Sequence, residues 1–329
     1  MLALRLAVGA VTILGMAGCA AGGGAQAESP DPRGRGADPT VAATPTAPAC
    51  DEPCYGEPQA DGRLSRDVVV GVSGMAASLR TPGVYYVVSD NAGTSEVIAV
   101  RDDGTLVARI GVDGMSAENA EALAVGTCGP SGSGPCVFVG DIGDHVGRPD
   151  VVVYRFPEPD LAAPPGNPVA ADSLRYTYPD TPTDAEALIV DDVGRPLIVT
   201  KAVFDEASAT TGPTRLFRGE PQGGVLEPLG EIDLPEPERP VFAVVVGNVV
   251  TDASSAHGRV LLRTYDEVLE FAVPEPGSDL AEFPGWPLRR VPTPNQIQSE
   301  AAAYRADACG YLTISEFTGS IDSVDCRPS

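Results

Sequence analysis

One short pattern recurs five times along the chain, and its spacing limits the fold more than any other feature of the sequence. In each copy an apolar run ends in a small residue that a polar residue follows. The polar residues are Asp90, Asp141, Lys201, Tyr265 and Glu316. They are 51, 60, 64 and 51 residues apart. A unit of this length is typical of repeat architectures, in which each repeat buries its apolar face against its neighbours.

Further short strands are predicted around each copy of the pattern. Upstream, an acid followed by alanine occurs in four copies, and Ser73-Gly74 takes its place in the first. The four acids are Glu121, Glu186, Asp252 and Glu300. Downstream, third strands are predicted at positions such as 151–156 and 214–218, and fourth strands follow in most copies. Four short strands per unit of about fifty residues are typical of a β-propeller blade.

The residue count favours five blades. Residues 67–326 divide into five units of about 52 residues. The last unit has three predicted strands, and a strand at 66–72 could supply the fourth, which would close the ring and remove an exposed sheet edge. Six blades are the alternative, but they would need about 50 more residues. A pair of β-sandwiches would not explain the repeat. We therefore expect an all-β, five-bladed propeller over residues 67–329.

The residues before this domain indicate export. Residues 1–18 combine one positive charge, a short apolar stretch and small residues, as in a signal peptide that is too short to span a membrane. The run that ends at Cys19 resembles a bacterial lipobox, which predicts a lipid anchor on Cys19 at the outer face of the cell membrane. A plain secretory signal is the alternative. Residues 19–66 are rich in Gly, Ala, Pro and acids and are predicted to form a stalk.

The remaining six cysteines also fit an exported protein. They fall into three local pairs, for which disulfide bonds are the simplest arrangement. These pairs are Cys50 with Cys54, Cys128 with Cys136, and Cys309 with Cys326. A zinc site is the alternative, but the two histidines, His145 and His257, lie elsewhere. Disulfides are therefore the favoured interpretation.

The charge of the chain limits its partners. It has 46 acidic against 22 basic residues and a formal net charge of −24, which excludes non-specific binding to nucleic acid. Lys201 is the only lysine. We expect a monomer that meets the membrane only through its lipid anchor.

The repeat also predicts where a functional site lies. In a propeller the first residues of the innermost strands surround one mouth of the central channel, so Glu121, Glu186, Asp252 and Glu300 would form a ring. A calcium ion could neutralise this ring, because calcium accepts 6–8 oxygen ligands in loose geometry. Lys201 or arginines could neutralise it instead, or the acids could only face solvent and backbone amides. The residues that end the repeated pattern would form a second set nearby, in which Asp90, Asp141 and Glu316 bind a polar ligand.

A resemblance accompanies these patterns. Its residues are the segment Asp141-Ile142-Gly143-Asp144-His145 with Arg148, the Tyr154-Arg155 pair, residues 184–188 and residues 262–265. The chain resembles an uncharacterised family of exported actinobacterial propeller proteins, in which a GDIGDN-like segment recurs. More loosely, its architecture is similar to secreted phytases, lactonases and paraoxonase-like esterases. That similarity implies calcium in the channel and brings no activity for this chain.

Three functions remain open from the sequence. The first is binding of a small polar ligand, a cation or a partner protein at the acidic channel mouth. The second is a calcium-dependent hydrolase for a phosphoester, lactone or glycan, in which Lys201 and Tyr265 stabilise developing negative charge. The third is a scaffold without a ligand.

Overall fold

The structure, a computed structural model, describes residues 54–129, 134–162, 166–202, 204–205, 210–238, 249–306 and 309–327. The predicted signal peptide, Cys19, Cys50 and most of the predicted stalk lie outside these residues. The described part is built almost entirely of β-strands and contains no α-helix. In it, no helix is long and apolar enough to cross a membrane.

The predicted five-bladed propeller is confirmed. Its first strands are β1 (Cys54–Tyr55) and β2 (Gln59–Arg63). Blade 1 contains β3 (Val72–Ala77), β4 (Val84–Ser89), β5 (Glu96–Arg101) and β6 (Leu106–Asp113). Blade 2 contains β7 (Ala120–Thr127), β8 (Pro135–Asp141), β9 (Val151–Pro157) and, after the short β10 (Val169–Ala170), β11 (Asp172–Thr177).

The other three blades follow the same plan. Blade 3 contains β12 (Ala185–Val190), β13 (Pro196–Thr200), β16 (Thr214–Arg218) and β18 (Glu227–Ile232). A separate small hairpin of β14 (Phe204–Asp205) and β15 (Thr210–Thr211) precedes β16, and the short β17 (Gly224–Val225) pairs with β11 at the edge of blade 2. Blade 4 contains β19 (Val250–Ala256), β20 (Arg259–Thr264), β21 (Val268–Ala272), a 3₁₀ helix (Leu280–Gly285) and β22 (Leu288–Val291). Blade 5 contains β23 (Ser299–Tyr304), β24 (Tyr311–Ser315), β25 (Ser320–Val324) and β2, and β26 (Cys326–Arg327) pairs with β1.

The blades pack in a closed ring around a crowded axis. Each innermost strand contacts the next one, and β23 of blade 5 contacts β3 of blade 1. Buried apolar clusters of the described residues fill the interfaces between successive blades. Small residues dominate the innermost strands because the strands approach closely there. At Gly74 a β-carbon would lie 2.7 Å from the Ala122 backbone, so a side chain would force β3 and β7 apart.

The ring closes through an N-terminal strand, as predicted, but that strand lies earlier in the chain. β2 pairs antiparallel with β25 from Gln59 opposite Ser323 to Arg63 opposite Ser320. Residues 66–71 instead make a turn before β3, with Val68 and Val69 packed against the cluster between blades 5 and 1. The outermost strand, β2, is largely exposed, so a polar sequence can form it. The apolar run that includes Val68 and Val69 is partly buried, but it does not form a strand. The folded part therefore begins within the predicted stalk.

Two of the three predicted disulfides lie in the described residues, and both are present. Cys128 and Cys136 join the ends of the β7–β8 hairpin with 4.9 Å between their Cα atoms. Cys309 and Cys326 join blade 5 to the last strand at a Cα separation of 5.6 Å. Such bonds persist in oxidising compartments. They indicate that this domain functions in an extracellular or otherwise oxidising environment.

Candidate functional site at the channel mouth

A β-bulge occurs at the same place, near the start of each innermost strand. It leaves one residue of each blade outside the regular pairing with the neighbouring strand. A bulge redirects a side chain out of the sheet pattern, and bulges are common next to functional sites. The bulged residues of blades 1 to 5 are Ser73, Glu121, Glu186, Thr251 and Glu300. Three of the four predicted ring acids therefore occupy equivalent positions.

Asp252, the fourth predicted ring acid, lies one residue beyond the bulge and has a different environment. Its side chain is fully buried, and its carboxylate accepts hydrogen bonds from backbone amides of three blades. The donors are Ala302 N at 2.8 Å, Ala253 N at 2.8 Å and Met75 N at 3.3 Å. Burial raises the pKa of Asp252 well above its usual value, although the three amides oppose this. Asp252 therefore ties blades 4, 5 and 1 together.

The second predicted set also has one displaced member. In each blade, the residue just before the bulge pairs with a residue of the neighbouring strand. The residues that directly follow these five paired residues are Asp90, Ile142, Lys201, Tyr265 and Glu316. In blade 2 this position belongs to Ile142, which is buried, and not to Asp141. Asp141 accepts hydrogen bonds from the Arg148 guanidinium at 2.8 Å and from the Asn119 amide at 2.9 Å. Its role is to hold the loop that follows β8.

The other predicted residues converge at one end of the channel. We call this set the acidic mouth: Asp90, Glu121, Glu186, Glu300, Glu316, Lys201 and Tyr265. Each of its acids except Asp90 interacts electrostatically with Lys201, and Asp90 interacts with Glu121 and Glu316. Glu121, Glu186 and Glu300 are buried, whereas the other four members are partly exposed. The acidic mouth therefore has a buried inner tier and an accessible outer tier.

A chain of polar contacts links three blades through Lys201. Its ammonium donates to the Glu186 carboxylate and, at 3.1 Å, to the Tyr265 hydroxyl. The ammonium also lies 5.3 Å from the centre of the Tyr265 ring, a cation–π distance. The Tyr265 hydroxyl in turn hydrogen-bonds to Glu300. Lys201 is therefore the cation that the protein itself supplies to its ring of acids.

Glu121 is held separately, by neighbours in blades 1 and 2. The Ser73 hydroxyl and the Asn119 side-chain amide both donate to its carboxylate. Gly143 allows this arrangement, because a β-carbon there would lie 2.7 Å from Cγ of Glu121. The Asp144 carboxylate then accepts hydrogen bonds from the backbone amides of residues 146–148, which fixes the turn after Gly143. The Asp141–His145 segment thus shapes the mouth through its turn.

The ionisation of these groups follows from burial and mutual charge. Burial alone would lower the pKa of Lys201, but Glu186, Tyr265 and Glu300 more than offset this and raise it above its usual value. Burial, with Glu300 and Glu186 nearby, also raises the pKa of Tyr265. Both groups therefore keep their protons at neutral pH. Burial, with Glu316 and Glu121 adding to it, raises the pKa of Glu300 to about 7.

The residues do not fit the calcium ion that the sequence allowed. Within the described ranges, no group of three or more His, Cys, Asp or Glu side chains could hold a metal ion. Two of the predicted calcium ligands already have other partners: the Glu186 carboxylate pairs with the Lys201 ammonium, and the Asp252 carboxylate accepts hydrogen bonds from three backbone amides. A positively charged ammonium in the ring also repels a divalent cation.

Sequence reasoning missed an apolar rim around the acidic mouth. Four apolar side chains in the loops next to it are strongly exposed: Val70 (52%), Val146 (84%), Ile297 (50%) and Phe317 (60%). Between blades 5 and 1, a cavity of about 130 Å³ is lined by Val70, Phe317, Glu316 and Gln298, among others. Gln298 donates to Glu316 at 3.1 Å and has a positive φ of 46°. Of these four residues, only Phe317 lies directly beside a polar residue of the repeated pattern, Glu316, so the rim has no common signal in the sequence.

We expect Glu300 to make stability depend on pH. Because its folded pKa of about 7 lies above the ordinary glutamate value of 4.5, the folded state binds the proton more tightly, and stability falls as pH rises. This group should lower the free energy of unfolding by about 1.4 kcal/mol between pH 6 and pH 8. Urea unfolding at both pH values measures it. Glu300→Gln should remove this part of the pH dependence, and the exposed control Glu282→Gln should retain it; equal slopes in both variants would refute the assignment.

Comparisons with known proteins find only distant structural similarities. Neither a protein-family model nor a curated protein matches the chain. Among solved structures, it is similar to virginiamycin B lyase from Staphylococcus aureus (10% identity, TM-score 0.39, covering 82% of this chain and 99% of that one). It is also similar to a putative gluconolactonase (14% identity, TM-score 0.37, covering 74% of this chain and 71% of that one). A third similar structure is Raptor from Chaetomium thermophilum (10% identity, TM-score 0.42, covering 84% of this chain and 30% of that one). At these identities and scores the similarities carry no argument about activity.

Proposed function

We propose that this protein is an exported binding protein whose acidic mouth takes a small organic cation, a primary amine with an apolar body. The observation that carries the proposal is the Glu186 carboxylate. It is buried at the mouth, and its Oε2 atom has no hydrogen-bond partner. A buried acceptor without a partner costs free energy, so a ligand that donates a hydrogen bond there would be favoured.

Charge supports an ammonium as that donor. The acidic mouth brings five carboxyl groups together against the single ammonium of Lys201, within a chain whose net charge is −24. Like charges at this density favour a bound cation. The environment of Lys201 shows what such a cation would find: a carboxylate, a phenol oxygen and an aromatic face. These are groups that recognise alkylammonium ions.

The apolar rim supports an apolar body on the same ligand. Exposed apolar side chains that cluster beside a polar cleft commonly mark a binding surface. Phe317 directly follows Glu316 of the outer tier, and both line the cavity between blades 5 and 1. A ligand whose ammonium enters the mouth would therefore lay its apolar part against Phe317 and Val70. An uncharged apolar compound would leave the acids unsatisfied.

The cellular location forms part of the proposal. The two disulfides support an oxidising compartment, and Cys19 in its lipobox-like segment supports a lipid anchor on the outer face of the cell membrane. An anchored binding protein in this position would capture its ligand outside the cell. Lipidation of Cys19 stays a prediction, which mass spectrometry of the purified protein would test.

Calorimetric titration with hexylammonium tests the proposed function, with 1-hexanol as a probe that keeps the apolar body and lacks the charge. We expect saturable binding of hexylammonium and none of 1-hexanol. Glu316→Gln, in the partly exposed outer tier, should weaken binding several-fold, because it removes one attractive charge. The control Glu282→Gln should bind as the unaltered protein does. Equal binding of both probes, or equal binding by both variants, would contradict the proposal.

A hydrolase is the second candidate, and Glu300 favours it. A carboxyl group with a pKa of about 7 can give and accept protons at neutral pH, as a general acid or base must. Lys201 and Tyr265, both protonated, could stabilise negative charge that develops on a substrate. Turnover of p-nitrophenyl esters, glycosides or phosphates that Glu300→Gln abolishes would support this function over simple binding.

A further inference from the structure

A second polar site lies beside the acidic mouth, around Arg263 at the interface of blades 4 and 5, and shares Tyr265 with it. Arg263 is the largest fully buried side chain, on strand β20. Its Nε and Nη1 atoms are buried and have no hydrogen-bond partner. No ion pair joins it to an acid of the described residues. A guanidinium buried in this way is costly, because the attraction of Asp266, Glu300 and Asp322 offsets only part of the desolvation of its charge.

A cavity lies beside this guanidinium. It has a volume of about 430 Å³, and its lining includes Arg263, Tyr265, Thr293, Asn295 and Gln296. Gln296 donates to the Thr313 carbonyl at 3.3 Å, and the Thr313 hydroxyl is itself buried without a partner. Unpartnered buried donors beside a cavity of this size indicate a ligand that accepts hydrogen bonds.

We propose that this cavity binds a small monoanionic carboxylate through Arg263. The planar guanidinium presents paired N–H groups that match the two oxygens of a carboxylate. Burial lowers the pKa of Arg263 to about 10, so the group stays charged at neutral pH. Three acids also line the cavity, Glu238, Asp266 and Glu267, and they limit the negative charge that it can accept. A carboxylate with one charge therefore suits the site better than a phosphate with two.

Thermal unfolding in sodium acetate and in sodium chloride of equal ionic strength tests this inference. Acetate should raise the melting temperature of the unaltered protein by a few degrees at saturation, because it binds only the folded state. Arg263→Met should melt at least as high as the unaltered protein in chloride, since it removes a buried charge whose desolvation outweighs the attraction of the nearby acids, and should gain nothing from acetate. Arg215→Met, which removes a half-exposed arginine, should respond to acetate as the unaltered protein does.

Three results would overturn the inference. One is an equal acetate response in the unaltered protein and in Arg263→Met, which would place the effect elsewhere. Another is the absence of any acetate response in the unaltered protein. The third is a large loss of stability in Arg263→Met in both salts, which would make the arginine structural. If Arg263→Met fails to fold, Arg263→Lys serves instead: it keeps the charge but lacks the paired donors, and its acetate response should be clearly reduced.

Discussion

Replacing Lys201 by methionine should lower the free energy of unfolding by about 4 kcal/mol at pH 8, as expected when one partner of a buried ion pair is removed. The Glu186 carboxylate would remain buried without its ammonium, close to the charges of Glu121 and Glu300. The loss should be smaller at pH 5, where protons can neutralise the acids. Urea unfolding at the two pH values measures both effects.

Two further variants show whether the ion pair is responsible. Lys201→Met combined with Glu186→Gln should recover much of the loss, because the second change removes the uncompensated charge. Arg215→Met breaks an exposed pair with Asp180, 3.5 Å long, and should cost less than about 1 kcal/mol. If Lys201→Met costs no more than Arg215→Met, the acidic mouth does not depend on Lys201 for its neutralisation.

Replacing Asp252 by alanine should be about as damaging, near 4 kcal/mol, for a different reason. The change would leave the buried amides of Met75, Ala253 and Ala302 without their acceptor, at about 1–3 kcal/mol each. These amides belong to three blades, so the loss should also reduce the cooperativity of unfolding. Urea unfolding followed by fluorescence and by circular dichroism would measure the stability and would show whether the transitions still coincide.

Asp192→Ala is the matched control for this prediction. Asp192 is exposed in the turn after β12, so its replacement should change the stability by less than about 0.5 kcal/mol. Binding of hexylammonium offers a second readout, since Asp252 lies outside the acidic mouth. A folded Asp252→Ala variant that binds hexylammonium normally would confirm a structural role, whereas a stable variant that loses binding would make Asp252 part of the site.

The fold could be predicted from the sequence because a propeller repeats one plan. Four strands per repeat and about 52 residues per blade gave the blade number, and the short last repeat indicated closure by an N-terminal strand. The position of that strand could not be predicted, because β2 is an exposed outer strand that needs no apolar pattern. The apolar run just after it, which looked like a strand, packs as a turn.

The structure places all but one residue of each predicted set at equivalent positions, and the two displaced residues share a cause. The prediction aligned acids with acids, whereas the structure aligns the positions of the bulges. In blade 4 the bulge falls on Thr251, so Asp252 points to backbone amides. In blade 2 the equivalent outer position is Ile142, so Asp141 pairs with Arg148. A repeat in a single sequence does not show which residue of a strand lies opposite which, because hydrogen-bond register is set by the folded sheet.

Contacts between residues that lie far apart in the sequence could not be predicted either. The contact of Lys201 with Tyr265 joins residues 64 positions apart, and Ser73 reaches Glu121 across 48 positions. The lone lysine in register with polar residues was a sufficient signal that Lys201 lies near the predicted ring of acids. That its ammonium contacts Glu186 and Tyr265 emerged only from the geometry.

The most direct test of the proposed organic-cation site is calorimetric titration of the protein with hexylammonium at pH 6 and pH 8, repeated in millimolar calcium. We predict saturable binding that is tighter at pH 8, where Glu300 is ionised, and that calcium leaves unchanged. No saturable heat from hexylammonium, together with calcium binding that Glu186→Gln abolishes, would contradict the account and restore the metal site.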